Sequence, residues 1–253
     1  MKPRIIIKTN PMEQVITAAD ILAMTAIDRV KENRLFTVAI SGGSTPRAMH
    51  RMLAKGPYLS DIPWKNTHIF WVDDRCVPQD HPASNYGTAE KDFLYEIPLP
   101  RENIHPMSGD APPEEEALRY EEELKNFFQL EDNQFPIFDL IFLGMGADGH
   151  TASLFPGQRA LKEKKRMVVA VRGGEPDVRR LTMTLPVLNS AKNVVILVLG
   201  KEKAAALKVV FEHNNRILPV KEVRPVQGDL TWLIDSEASS LLSEKVSEIL
   251  KLI

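Results

Sequence analysis

The chain has 253 residues, 43% hydrophobic and 26% charged, and its 32 Lys and Arg against 34 Asp and Glu leave a formal net charge of −2. That length buries roughly 70–75% of the unfolded surface, so one domain over residues 1–253 needs no staple, and the near-neutral charge gives no electrostatic footprint for nucleic acid. Cys76 is the only cysteine, which excludes an intrachain disulfide; with no membrane-length apolar stretch and an apolar run in residues 1–8 too short for a signal peptide, the expected location is cytoplasmic.

Asn10 and Pro11 open a segment whose apolar residues Val15, Ile16, Ala19, Leu22, Ala23, Ala26 and Ile27 recur near a helical period. A strand is expected at 36–40. It runs into Ser41-Gly42-Gly43-Ser44-Thr45-Pro46 and a helix from Pro46. Glycines let backbone N–H groups converge on an anion, Ser44 and Thr45 add hydroxyls, and the start of a helix carries partial positive charge, so this loop reads as a phosphate cradle.

A second strand at 68–72 leads into the polar loop Asp73-Asp74-Arg75-Cys76-Val77-Pro78. An arginine fork beside two carboxylates suits a phosphate ligand, and it equally suits an ion-pair network. A catalytic thiolate at Cys76 would need a nearby base, so a half-buried small side chain is the expected role. A helix follows near 88–93, and Pro112-Pro113 precede an acidic helix from Glu114 to Leu124 that reads as a solvated outer face.

The run Phe138 to Leu143 reads as a strand buried on both faces, and it ends in Gly144-Met145-Gly146-Ala147-Asp148-Gly149-His150-Thr151. Ligands gather beyond the carboxyl ends of such strands, which places Asp148 and His150 at a crevice. An imidazole there is expected to serve as a general base. The histidines at 50, 68, 81, 105 and 213 lack such surroundings and read as structural. Strands are expected at 167–171, 181–184 and 194–199, then a helix over 203–211, a strand at 231–234 and a last helix capped by Asp235 or Ser236. Alternation of strand and helix argues an α/β fold with a parallel sheet and helices on both faces.

Residues 144–149 match G-x-G-x-x-G, but Pro156-Gly157 stops any helix within about two turns and the next strand ends in Arg172 with no acidic partner for a ribose hydroxyl. NADP, which tolerates an arginine there, is a minor alternative. No G-x-S-x-G elbow is present, and Gly42-Gly43-Ser44-Thr45 lacks the P-loop lysine, so a small sugar or metabolite phosphate is the better ligand class. No His/Cys ligand spacing supports a metal site.

Ser41 to Pro46, Asp73 to Pro78 with Ser84-Asn85-Tyr86, Gly144 to Gly157, Arg180 to Thr184 and Leu199 to Ala204 together resemble the 6-phosphogluconolactonases over nearly the whole chain. The resemblance implies a Rossmann-like three-layer sandwich, shared with the glucosamine-6-phosphate deaminases, and hydrolysis of a phosphosugar lactone without a cofactor. It assigns His150 as general base and Ser44, Arg75 and Lys203 as phosphate contacts. Arg180, Asp73 and Asp148 fall at polar pocket positions; Asp148 is expected to be catalytic with His150, and Ser41, Gly42, Gly43 and Thr45 of the cradle loop to bind phosphate. Asp74 departs from the glutamate more usual in the family. The deaminases carry an Asn-Glu pair shortly after their histidine, which Thr151-Ala152-Ser153 does not reproduce. A non-catalytic sugar-phosphate sensor is the rival from another class, and monomer and homodimer stay equally open.

Overall fold

The computed structural model describes residues 3–175, 177–213, 218–243 and 246. In chain order it holds β1 (Arg4–Lys8), α1 (Pro11–Lys31), β2 (Phe36–Ile40), α2 (Ser44–Leu53), α3 (Tyr58–Asp61), β3 (Thr67–Trp71), β4 (Asp73–Arg75), α4 (Asn85–Ala89) and β5 (Ile104–His105). Then come α5 (Pro113–Phe128), β6 (Leu140–Gly144), β7 (Val168–Gly173), β8 (Val178–Met183), α6 (Leu185–Ser190), β9 (Asn193–Val198), α7 (Ala204–Glu212) and β10 (Asp229–Asp235).

Seven strands form one sheet in the order β1-β10-β9-β6-β2-β3-β5, every neighbouring pair parallel. The expected α/β architecture is therefore the one that forms. All five residues of β2 are buried, as are Leu140 to Leu143 of β6, because helices cover the sheet and leave a continuous apolar run as the stable strand composition. α1 starts where the sequence indicates: the Asn10 side chain accepts from the Glu13 amide at 3.0 Å, and Pro11 occupies the first turn.

From β2 the chain builds outward through β3 to β5, then crosses to β6 on the other side of β2 and builds outward through β9 to β10. The order reverses between β2 and β6. Such a reversal leaves a crevice at the carboxyl ends of the two central strands, because their following loops diverge to opposite sides. Two ties hold this central pair. The Thr37 amide and hydroxyl each donate to Asp139 Oδ2 at 3.0 Å at one end, and the Ser41 hydroxyl donates to the Phe142 carbonyl at 2.6 Å at the other.

The structure corrects three local expectations. Asp73–Arg75 is a short strand rather than a loop, and with β8 and β7 it forms a separate three-stranded antiparallel sheet in the order β4-β8-β7. The strands expected at 167–171 and 181–184 thus add nothing to the parallel sheet; the few residues between them allow a hairpin turn but not a parallel crossover. The helix near 88–93 begins earlier, at Asn85, because the Ser84 hydroxyl caps it by accepting from the Gly87 amide at 3.0 Å, and it continues as a wider π-type turn over Glu90–Leu94. The edge strand β1 had no sequence expectation. After Asp235 the chain makes turns through residue 241, with Ala238 donating its amide to the Asp235 carboxylate at 2.8 Å; most of the last expected helix lies outside the described residues.

Candidate active site

A cleft of about 180 Å3 opens at the carboxyl ends of β2, β6 and β9, with the β4–β8 ribbon on its flank. Ser41, Gly42, Gly43, Ser44, Thr45, Asp73, Arg75, His150, Arg180 and Lys203 all line it. The distant segments singled out in sequence therefore share one cavity. Asp148 is the exception, standing behind His150.

On one side, α2 begins at Ser44 directly after Gly43, whose φ of 102° is open to glycine at little strain. No side chain caps this helix start. First-turn amides and the positive end of the helix dipole therefore face the cleft beside the Ser44 and Thr45 side chains, the arrangement that binds a phosphoryl group. Ser41 contributes differently, since its hydroxyl is tied to the Phe142 carbonyl. Lys203 enters from beyond β9, on a single helical turn after Gly200, whose amide donates to Asp235.

The flank is built around Asp73, Asp74, Arg75 and Asn85. Asp73 is 5% exposed, and its Oδ2 accepts from the Ser153 hydroxyl at 2.6 Å. The Arg75 Nη1 donates to Asn85 Oδ1 and to the Ala83 carbonyl at 3.3 Å. Asp74 points away from the cleft and gathers the chain that follows: it accepts the amides of Arg75, Asn85 and Tyr86 at 2.7, 2.6 and 2.9 Å. Burial pushes its carboxyl up to about 6 against those three donors. The shorter aspartate side chain at this position thus has a full set of contacts, all of them to the protein itself.

Arg180 pairs with Arg75 across the β4–β8 ladder, and its guanidinium lies 5.6 Å from the Phe155 ring centroid while Nε donates to the Gly173 carbonyl at 2.7 Å. Burial, then the neighbouring Arg75 charge, hold Arg180 below the usual arginine range.

Across the cleft, the loop after β6 folds on itself, with the Gly146 amide donating to the His150 carbonyl at 2.8 Å. The His150 ring lies over Gly146 so closely that a Cβ there would come within 2.1 Å of Nδ1, which explains the glycine. Nδ1 is 2.6 Å from Asp148 Oδ1, and the same oxygen accepts the His150 amide at 3.1 Å. Burial raises the Asp148 carboxyl, but the His150 amide and imidazole outweigh it and hold the group below the usual carboxylate range. An ionised carboxylate only accepts, so Nδ1 carries the proton and Nε2 is left with a lone pair. Phe155 packs on the other side of the imidazole, ring centroids 4.8 Å apart.

Asn85 lines the cleft and was not among the expected site residues. Its signal was faint: it follows a capping serine, and its contacts are to residues ten or more positions away. Ala152, also lining the cleft with φ of 48°, has no sequence signal. Cys76 is half-buried with its thiol pushed up to about 11, chiefly by burial, so no thiolate forms there near neutral pH. Among the described residues, no group of three or more His, Cys, Asp or Glu is placed to hold a metal, and no helix is long and apolar enough to cross a membrane.

Residues 10–232 match the family model described as glucosamine-6-phosphate isomerases/6-phosphogluconolactonase. The chain is 41% identical to a 6-phosphogluconolactonase of Synechocystis, over 96% of this chain and 99% of that protein, and 39% identical to a 6-phosphogluconolactonase of Nostoc, over 88% and 91%. Its fold superposes on 6-phosphogluconolactonase from Trypanosoma cruzi with a TM-score of 0.86 at 27% identity, covering 96% of this chain and 97% of that one.

Proposed function

Because the chain belongs to the glucosamine-6-phosphate isomerase and 6-phosphogluconolactonase family, we infer that it hydrolyses 6-phospho-D-glucono-1,5-lactone to 6-phospho-D-gluconate, the second step of the oxidative pentose phosphate pathway. The observation that carries this reading is the Asp148–His150 pair, poised as a base, sharing one cleft with an anion cradle.

In the proposed mechanism the phosphate rests on the first-turn amides and hydroxyls of Ser44 and Thr45, with Arg75 and Lys203 supplying positive charge. Gripping the substrate by this remote group fixes where its C1 carbonyl lies and converts water attack into a step between held partners. His150 Nε2 takes the proton of the attacking water. Asp148, already ionised, holds the tautomer and favours the imidazolium that forms. The carbonyl oxygen gains negative charge in the tetrahedral intermediate; Arg180 and the glycine-loop amides are the donors proposed to meet it. Collapse opens the ring by breaking the C1–O5 bond, with the His150 proton passing to O5. A lactone is a reactive ester, so one base with good positioning suffices, and no nucleophilic residue, metal or cofactor is required by this scheme.

The deaminase of the same family shuttles protons between carbons, for which Thr151-Ala152-Ser153 offers no carboxylate. The reading treats residues 1–253 as one domain acting in the cytoplasm, supported by the lone cysteine, and the −2 charge gives no reason to invoke nucleic acid. The test is to supply fresh lactone to purified protein and follow acid release above the spontaneous rate, with glucosamine 6-phosphate in parallel. Ammonia release, or tight phosphosugar binding without turnover, would overturn the assignment.

A further inference from the structure

Asn85 is 5% exposed, yet its side chain reaches the cleft wall and joins strand β4 to the cradle loop there. Its Oδ1 accepts from Arg75 Nη1, and its Nδ2 donates to the Asp73 carbonyl at 2.8 Å and lies 3.4 Å from Asp73 Oδ1. The orientation of the amide follows from its neighbours, since a guanidinium only donates and a carbonyl only accepts. On its other side lies the cradle: a Cβ on Gly42 would fall 1.8 Å from Asn85 Oδ1, so the amide rests against the glycine itself. From behind, Asp74 holds the Asn85 main-chain amide at 2.6 Å.

Asn85 and the Ala83 carbonyl are the neutral acceptors that hold Arg75 Nη1, and of the two only Asn85 also rests against the cradle. The Arg75 charge stands opposite Arg180 in the β4–β8 ladder, where like charges push the two guanidiniums apart. Asn85 supplies a neutral acceptor that holds Nη1 without neutralising it. A carboxylate at the same place would hold the arginine equally well and cancel the charge a phosphate needs.

On the reading of the cleft given above, we propose that Asn85 is a positioning residue: it fixes the Arg75 guanidinium against the Gly42 backbone so that the fork and the cradle amides meet one phosphate. It acts through Arg75 and touches no reacting atom.

The test reads inorganic phosphate binding directly, by calorimetry, so that it does not depend on turnover. Asn85→Ala should weaken phosphate by ~10-fold or more, in keeping with the loss of a hydrogen bond to a charged group. In an Arg75→Ala background the same change should cost under about 2-fold, because a residue acting through Arg75 has nothing left to act on. Asn85→Asp should weaken phosphate at least as much as Asn85→Ala. Gly42→Ala, which displaces the amide without removing it, should reproduce the loss and stands in should Asn85→Ala not fold. With lactone as substrate, the Asn85→Ala defect should lie in KM for the phosphorylated compound rather than in kcat. Unchanged phosphate affinity in a folded Asn85→Ala or Gly42→Ala protein overturns the proposal, as do losses that simply add in the Arg75→Ala double variant. Absent lactone hydrolysis by the parent protein would instead strike at the assigned reaction and leave the phosphate result standing.

Discussion

Arg75 and Arg180 stand directly opposite one another in the antiparallel ladder between β4 and β8. Directly opposed residues project to the same face, so the two guanidiniums repel; Asp73 and Asp74 offset this in part, and a bound anion adds to that relief. Inorganic phosphate should therefore raise the thermal midpoint. At about a hundredfold excess over its dissociation constant the gain is about 2.7 kcal/mol, which for a chain of this size is a rise of roughly 5–10 °C. Differential scanning fluorimetry in phosphate against chloride, at matched ionic strength, measures it. Arg75→Met should lose most of the rise, and an equal rise in chloride would show general screening instead.

On the proposed mechanism His150→Ala should lower kcat by ~10²–10⁴ with substrate affinity nearly retained, because it would remove the proton acceptor and leave the phosphate grip. Asp148→Asn should lower kcat by a smaller factor, since the imidazole loses its acceptor at Nδ1 and with it the fixed tautomer. Gly146→Ala should resemble the His150 variant, the new methyl occupying the space of the ring. Steady-state rates corrected for spontaneous hydrolysis decide the matter, and turnover unchanged in His150→Ala removes the base.

Lys203→Ala should act on the other half of the cleft. In the proposed mechanism its charge meets the phosphate, present alike in ground and transition states, so KM should rise while kcat holds. A kcat loss matching that of His150→Ala would mean that Lys203 serves the reacting carbonyl.

His50, on α2 beneath the cradle, predicts how the fold responds to acid. It is 2% exposed, stacks on Phe93 at 4.8 Å, and neither ring nitrogen has a hydrogen-bond partner among the described residues. Burial pushes its pKa down to about 4; the nearby Asp92 charge opposes this, while Arg51 and Arg47 add to it. The unfolded chain protonates this residue nearer 6.5 and therefore binds the proton first as pH falls. This group's contribution to stability is thus full above pH 6.5 and is lost on descent toward 4. His50→Leu, of similar volume, should flatten that part of the profile and leave stability at pH 8 equal or higher. Urea unfolding of both proteins at pH 8 and pH 5 checks it, and parallel losses would exclude His50 as the source.

Much of the fold was legible because buried parallel strands are written as unbroken apolar runs. Phe36 to Ile40 and Leu140 to Leu143 have no other comfortable place than the middle of a covered sheet. The cradle and the His150 loop were legible for a related reason: glycines beside hydroxyls or an imidazole, at a strand end, have few purely structural uses. Asp73–Arg75 was not, since three polar residues carry no strand period, and their pairing with β8 is made by residues a hundred positions away.

What the sequence alone determined is the set of parts: which runs become strands, where loops gather chemistry, and that an ionisable pair sits two positions apart at Asp148 and His150. These are properties of short windows, in which propensity and glycine placement act locally. Only the tertiary structure decided that the parts meet. The reversal of strand order between β2 and β6 brings both loops to one crevice, the β4–β8 ladder sets Arg75 against Arg180, and the seating of Asn85 on Gly42 ties them together. Such contacts depend on how separate strands pair, which no single stretch of chain encodes.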